Sequence, residues 1–190
     1  MNTSSQSTQT RFLALLLTGA GFISLGVALF FILQNGNTAS ASVQDFSAVP
    51  AEVDFAAPEL NLEDLAGNPV SLTDHLGSVV LVNLWATWCP PCKEEMPTLQ
   101  AFYEKYKDDG FVLIAIDQEE TRDVVQPFVD EYGLTFPVWL DIDWLAQKEF
   151  NTSNLPSSYV IDRKGQVRLM WIGGISKKNL EKFVPDIITE

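Results

Sequence analysis

Histidine and cysteine are nearly missing from this chain, with one His and two Cys in 190 residues. Two cysteines cannot build the several bridges of a small secreted disulfide scaffold. Even with the single histidine, His75, they fall short of the roughly four ligands that a structural zinc site takes. Basic charge is also scarce: 12 Lys+Arg stand against 25 Asp+Glu, a formal net charge of −13. A surface that acidic repels phosphate backbones, so a nucleic-acid partner is excluded, and solubility is the plain reading of the acidity. Apolar residues are not lacking. At 46% they are too many for a disordered chain, and the length allows one compact domain plus an appendage.

Charge disappears altogether from Phe12 to Leu33, FLALLLTGAGFISLGVALFFIL. About 20 apolar residues span a bilayer core, so the run is long enough to cross one. It has no polar face, which argues against a buried core helix. Ala39-Ser40-Ala41 resembles a signal-peptidase site, but a cleavable signal carries a shorter apolar stretch, of about 7–15 residues. The length favours a retained anchor. With no Cys nearby, a lipoprotein anchor is excluded. Arg11 precedes the run while Asp45, Glu52 and Asp54 follow it, which puts the N-terminus in the cytoplasm and the rest outside. The expected organisation is a cytoplasmic tail at 1–11, an anchor or uncleaved signal at 12–33, a Ser/Ala/Asn/Gly-rich tether at 34–54 and a folded domain at 55–190. That makes a single-pass protein of the cell membrane with its domain outside the cytoplasm.

Within the domain, strand and helix patterns alternate. Glu59–Glu63 and Val70–Leu72 flank the turn cluster Ala66-Gly67-Asn68, the mark of a small hairpin. Val79 to Trp85 is a continuous β-branched apolar run, the pattern of a strand covered on both faces. A helix is predicted from Pro91 to Lys107, a strand over Phe111–Ile116, and a helix over Arg122–Tyr132 stopped by Gly133. Pro127 fits that helix only in its first turn. Phe136–Leu140 reads as a short strand and Trp144–Phe150 as a short helix, while His75 falls in a loop or short helix. Tyr159–Asp162 and Gln166–Trp171 flank an Arg-Lys-Gly turn, and Ser176 caps a last helix to Ile187. This alternation predicts an α/β sheet with helices on both faces.

The chemistry centres on Trp85-Ala86-Thr87-Trp88-Cys89-Pro90-Pro91-Cys92. A buried strand ends there and a helix begins. A thiol at a helix N-terminus faces unpaired N–H groups and the positive end of the dipole, both of which favour thiolate. Cys89 is therefore expected as an exposed nucleophile, with Cys92 one turn deeper as the resolving thiol. Pro91 suits the helix start because it has no N–H to leave unpaired. A structural bridge or half of a zinc site is the bland alternative, but a loop this short constrains the unfolded chain little.

Glu94 and Glu95 differ by periodicity. Cys92, Glu95, Met96, Leu99, Phe102 and Tyr106 share one helix face, so Glu95 lies on the apolar side while Glu94 points away. A partly buried carboxylate has a raised pKa and can exchange a proton with Cys92 near neutral pH; a snorkelled surface charge is the alternative. Pro97 should kink the same helix. Trp85, Trp139, Trp144 and Trp171 read as core or core-edge residues, whereas Trp88 borders the nucleophile. Pro156, in Asn154-Leu155-Pro156-Ser157-Ser158, is on local grounds a loop proline, and most such bonds are trans.

Taken jointly, Trp85 to Pro97, Leu155 to Asp162, Lys164-Gly165 and Ala57-Pro58-Glu59-Leu60 resemble the thioredoxin superfamily, and within it the membrane-anchored TlpA/ResA-like thiol-disulfide oxidoreductases. The resemblance runs from about Phe55 to Ile187. It implies a thioredoxin-like fold in which Pro156 is cis and faces the Cys89–Cys92 redox disulfide. The Leu155 backbone would pair with substrate, and Trp88, Pro90 and Pro91 would border it. Glu95 would match the family's active-site glutamate. Thioredoxin carries a buried Asp where this chain has Asn83, which cannot act as a base, so Glu95 is left as the proton handler. The resemblance further implies reductive thiol chemistry outside the cytoplasm, often in cytochrome c maturation, with a membrane thiol electron donor as partner.

The resulting expectation is a protein-disulfide reductase acting on exported proteins, monomeric, with no metal and no cofactor because the two cysteines carry the redox equivalents. Three rivals share the fold. A thiol peroxidase would need Pro and Thr where this chain has Val82 and Ala86. A copper-binding assembly factor would need a CxxxC pair and a distal His, whereas His75 lies upstream. An oxidase or isomerase differs only in redox poise.

Overall fold

The computed structural model describes residues 49–190; the apolar run at 12–33 and the tether as far as 48 lie outside the described residues. The strands are β1 (Ala51–Ala56), β2 (Asn61–Asp64), β3 (Pro69–Ser71), β4 (Val79–Trp85), β5 (Phe111–Gln118), β6 (Val138–Asp141), β7 (Ser157–Ile161) and β8 (Gln166–Ile172). The helices are α1 (Pro90–Tyr106), α2 (Arg122–Tyr132), α3 (Leu145–Glu149), α4 (Lys177–Phe183) and α5 (Pro185–Thr189), with a 3-10 turn at Leu72–His75. Among the described residues no helix is long and apolar enough to cross a membrane.

All strands join one sheet in the order β1-β8-β7-β4-β5-β6-β2-β3. The β4–β5 and β5–β6 pairs are parallel; β4–β7, β7–β8, β1–β8, β2–β6 and β2–β3 are antiparallel. All seven residues of β4 are buried, because it is central and covered on both faces. Its two-residue period divides the core. Val79, Leu81 and Trp85 pack with side chains of α1, α2, α4 and α5, including Met96, Leu99, Phe128 and Leu180. Val80, Val82 and Leu84 pack in a second cluster with Leu72 of the 3-10 turn and Ala146 of α3. Aromatic contacts tie both layers: Trp85–Phe128 ring centroids lie 4.9 Å apart, and Phe150–Tyr159 centroids 4.2 Å.

Four expectations are corrected. Residues 51–54, assigned to the tether, belong to β1, whose Ala51 and Glu52 pair with Met170 and Leu169 of β8. Residues 51–54 alternate small apolar and acidic side chains and directly continue the Ser/Ala-rich stretch, so their sequence reads as linker. Pro127 is the sixth residue of α2 and not in the first turn. The helix absorbs it and ends at Gly133, whose φ of 60° places it in the left-handed region. The last helix divides at Val184 because Pro185, lacking an N–H, starts a new one. Finally, β5 runs on to Gln118, two residues past the apolar stretch. The hairpin around Gly67 forms as read, and so do the β4 strand, the Ser176 cap, whose side chain accepts from the Asn179 N–H, and the short turn holding His75.

Leu99 is fully buried between α1 and the sheet. Leu99→Ala should lower unfolding free energy by about 2–5 kcal/mol in urea titrations. Val124→Ala, at a residue 46% exposed, should change it by less than about 0.5 kcal/mol. Equal effects would contradict this packing.

Candidate active site

Strand β4 ends at Trp85, and within five residues the chain has turned into α1. Cys89 is the N-cap of that helix, with φ −88° and ψ 107°, and Pro90 and Pro91 fill the first turn. Cys89 and Cys92 close a disulfide with their Cα atoms 5.3 Å apart. The expectation of an open nucleophile needs correction. Cys89 is only 3% exposed and Cys92 is not exposed at all. The surface there belongs to Trp88, 57% exposed, and to the exposed Pro90 and Pro91.

Glu95, one turn along α1 from Cys92, is 3% exposed. Its Oε1 accepts the Asn83 side-chain amide at 2.7 Å, and its Oε2 accepts the Ile175 backbone N–H at 2.8 Å. Asn83 Nδ2 also donates to Ser158 Oγ at 2.9 Å, so one amide ties β4, α1 and β7 together, while Glu95 adds the segment after β8 through Ile175. Burial pushes the Glu95 carboxyl up to about 7, against the two hydrogen bonds, which hold it lower than burial alone would. Glu94 is exposed, as periodicity required. A Cβ on Gly174 would sit 3.8 Å from Glu95 Oε2, so this backbone closes the floor of the site.

The Leu155–Pro156 peptide bond is cis. Register places it at the same end of the sheet: Leu84 pairs with Ser157, so Pro156 continues β7 beside Trp85, where the cysteine loop departs. The Pro156 carbonyl accepts the Gly173 N–H at 2.8 Å. Leu155 is half-buried, and Ile172, which pairs with Ser157, is 41% exposed. Trp88, Leu155 and Ile172 thus give this end of the sheet an apolar surface around the disulfide.

A buried CxxC at a helix start, with a buried carboxyl one turn further along and a cis-proline strand alongside, is suited to thiol-disulfide exchange. The comparisons with known proteins agree. The AhpC/TSA family model matches residues 53–170. Over 131 residues the chain is 40% identical to the thiol-disulfide oxidoreductase ResA of Bacillus anthracis, a stretch that covers 69% of this chain and 76% of that protein. The chain belongs to this family, and it is a thiol-disulfide oxidoreductase. The ResA of Geobacillus kaustophilus is 34% identical over 135 residues, covering 71% of this chain and 78% of that one. A crystal structure of the thiol:disulfide interchange protein DsbE from Chlorobium tepidum superposes with a TM-score of 0.68 at 28% identity, across 73% of this chain and 98% of that one. The fold is accordingly thioredoxin-like.

The structure brings Cys89, Cys92, Glu95 and the Leu155–Pro156 bond to one end of the oxidoreductase's sheet, with Trp88, Pro90 and Pro91 at its surface. Asn83, read only as a lost base, turns out to anchor Glu95. Sequence reasoning missed Ile175, whose contribution is a backbone N–H and leaves no side-chain trace. It also missed Asp117 and Glu120, at the end of β5. Thr87 donates its backbone N–H to Glu120 Oε2 and its hydroxyl to Glu120 Oε1, both at 2.6 Å. Asp117 is fully buried, and burial first, with Glu120 nearby, pushes its carboxyl up to about 8. The signal was present: Asp117 follows a buried apolar run and pairs in register with Trp85.

Between its ordinary value of 4.5 and about 7, folded Glu95 holds a proton that the unfolded chain releases. Stability should therefore fall as pH rises through that window. Glu95→Gln should flatten this slope in urea midpoints. It should also remove an inflection near neutral pH from the rate at which Cys92 closes the disulfide. An unchanged pH profile would reduce Glu95 to a structural carboxyl.

Proposed function

We propose that this oxidoreductase works as a reductant of disulfides in exported polypeptides, tethered to the cell membrane by residues 12–33 with its folded domain outside the cytoplasm. The observation that carries the reading is the Cys89–Cys92 disulfide at the start of α1 with a buried Glu95 carboxyl one turn further along the same helix. In the reduced protein the Cys89 thiolate attacks a substrate disulfide, forms a mixed disulfide, and expels one substrate thiolate. Glu95, as carboxylate, takes the proton of Cys92. The Cys92 thiolate then attacks Cys89 sulfur, the mixed disulfide breaks, and the second substrate thiolate leaves. Two electrons pass to substrate and the Cys89–Cys92 bridge returns.

Substrate would lie along the Leu155 backbone, with side chains against Trp88, Pro90, Pro91 and Ile172. Resemblance to TlpA/ResA-like proteins adds apocytochrome c as a substrate and a membrane thiol carrier as the electron donor, and the domain would act as a monomer. Peroxide chemistry is disfavoured by the buried Val82 and Ala86, which stand where that chemistry requires Pro and Thr.

Cys92→Ser should block resolution and leave exported proteins disulfide-linked to Cys89, released by dithiothreitol and absent from the double Cys89→Ser/Cys92→Ser variant. Membranes that contain the well-expressed Cys92→Ser protein but no such adducts would contradict the proposal.

A further inference from the structure

The loop that presents Cys89 is held from the side by a carboxyl pair that takes no part in the thiol chemistry. Glu120 grips Thr87, two residues before Cys89, at both of its oxygens. Glu120 is itself placed by its N–H, which donates to Asp117 Oδ1 at 3.2 Å. Asp117 is fully buried at the end of β5, paired in register with Trp85, and its Oδ2 makes no hydrogen bond. The charged groups acting on it are Glu120, from the same loop, and Asp141, from the end of β6. Asp141 is already committed to the start of α3, where it accepts the Leu145 and Ala146 N–H groups at 2.9 and 2.7 Å. The neighbours on the β4 side, Trp85 and Thr87, are uncharged. Among the described residues no cation is paired with Asp117.

We propose that Asp117 is a positioning residue for the exchange reaction: in its neutral form it lets the Glu120 carboxylate keep its two-point hold on Thr87, and its ionisation drives Glu120 away and frees the loop that carries Cys89. Asp117 is buried and Glu120 is half-buried beside it, so a charge on one disfavours a charge on the other. Glu120 is the one that can move, since it is half-buried on the loop while Asp117 is fixed in a strand. Burial pushes the Asp117 carboxyl up to about 8, so the hold prevails at neutral pH and weakens as pH rises through that value. The proposal rests on Cys89 being the attacking sulfur, but the hold itself does not depend on that.

The test uses the intact chain, 15N-labelled and in its disulfide form, where no thiol titrates. The Thr87 amide resonance should shift with a midpoint near pH 8, apart from any Glu95 step. Asp117→Asn, a neutral isostere of the protonated acid, should leave Thr87 near its neutral-pH position throughout. Glu120→Gln should displace it at every pH. In the reduced protein, Asp117→Asn should match wild type at neutral pH and lack its second, alkaline inflection in the attack rate on a peptide disulfide. Two results would overturn the proposal: a Thr87 amide unmoved through alkaline pH in the wild type, or one that titrates identically in Asp117→Asn. Failure of the disulfide-form titration counts against the hold alone, whereas absence of peptide-disulfide reduction at neutral pH counts against the reductase reading.

Discussion

The site depends on one backbone event: a strand buried along its whole length must stop, and a helix must begin within five residues of its end. The strand is held on both sides, by parallel pairing to β5 and antiparallel pairing to β7, so its last residue has little freedom. Everything after Trp85 inherits that position. The helix start sets Cys89 and Cys92 one turn apart, and the next turn buries Glu95 on the face it shares with Cys92. Asn83, on the same strand and pointing to the same face, meets Glu95 there. The strand therefore supplies both the platform and the hydrogen bond that fixes the carboxyl.

Two electrostatic effects compete at the sulfurs. Unpaired N–H groups at the start of α1 favour a thiolate. Near-complete burial of both cysteines, and carboxyl groups nearby, oppose it. A proton on Glu95 up to about pH 7 softens the conflict, because the carboxyl need not be charged while Cys92 waits. The balance bears directly on redox direction: a pair whose reduced form is not stabilised as thiolate favours the disulfide and gives up electrons readily. Burial of the pair thus works toward the disulfide form.

Where a side chain's role follows from spacing, the sequence was readable. The apolar run of β4, the helix face carrying Cys92 and Glu95, the Gly133 stop and the Ser176 cap all depend on local periodicity or capping chemistry. Elements whose roles come from partners were not readable. β1 is an edge strand with most of its residues exposed, and it takes its place by pairing with β8 and by packing Val53 on the core. Ile175 contributes a main-chain N–H. The hold on Thr87 joins residues 33 positions apart and required β5 to run past its apolar segment. Pro127 was read as tolerable only in a first turn, yet the amphipathic face with Val125, Phe128 and Val129 outweighs the missing hydrogen bond. Burial of Cys89 was likewise not legible, since its neighbours Trp88 and Pro90 are both exposed.

The claim on which most depends is that a buried cysteine pair at this helix start is a reductant. The reduction potential of Cys89/Cys92 in the intact chain, measured by equilibration against a thiol-disulfide buffer, tests it most directly. The account predicts a value at or below that of thioredoxin, about −270 mV. A value near about −120 mV, the range of strong disulfide-forming oxidants, would contradict it.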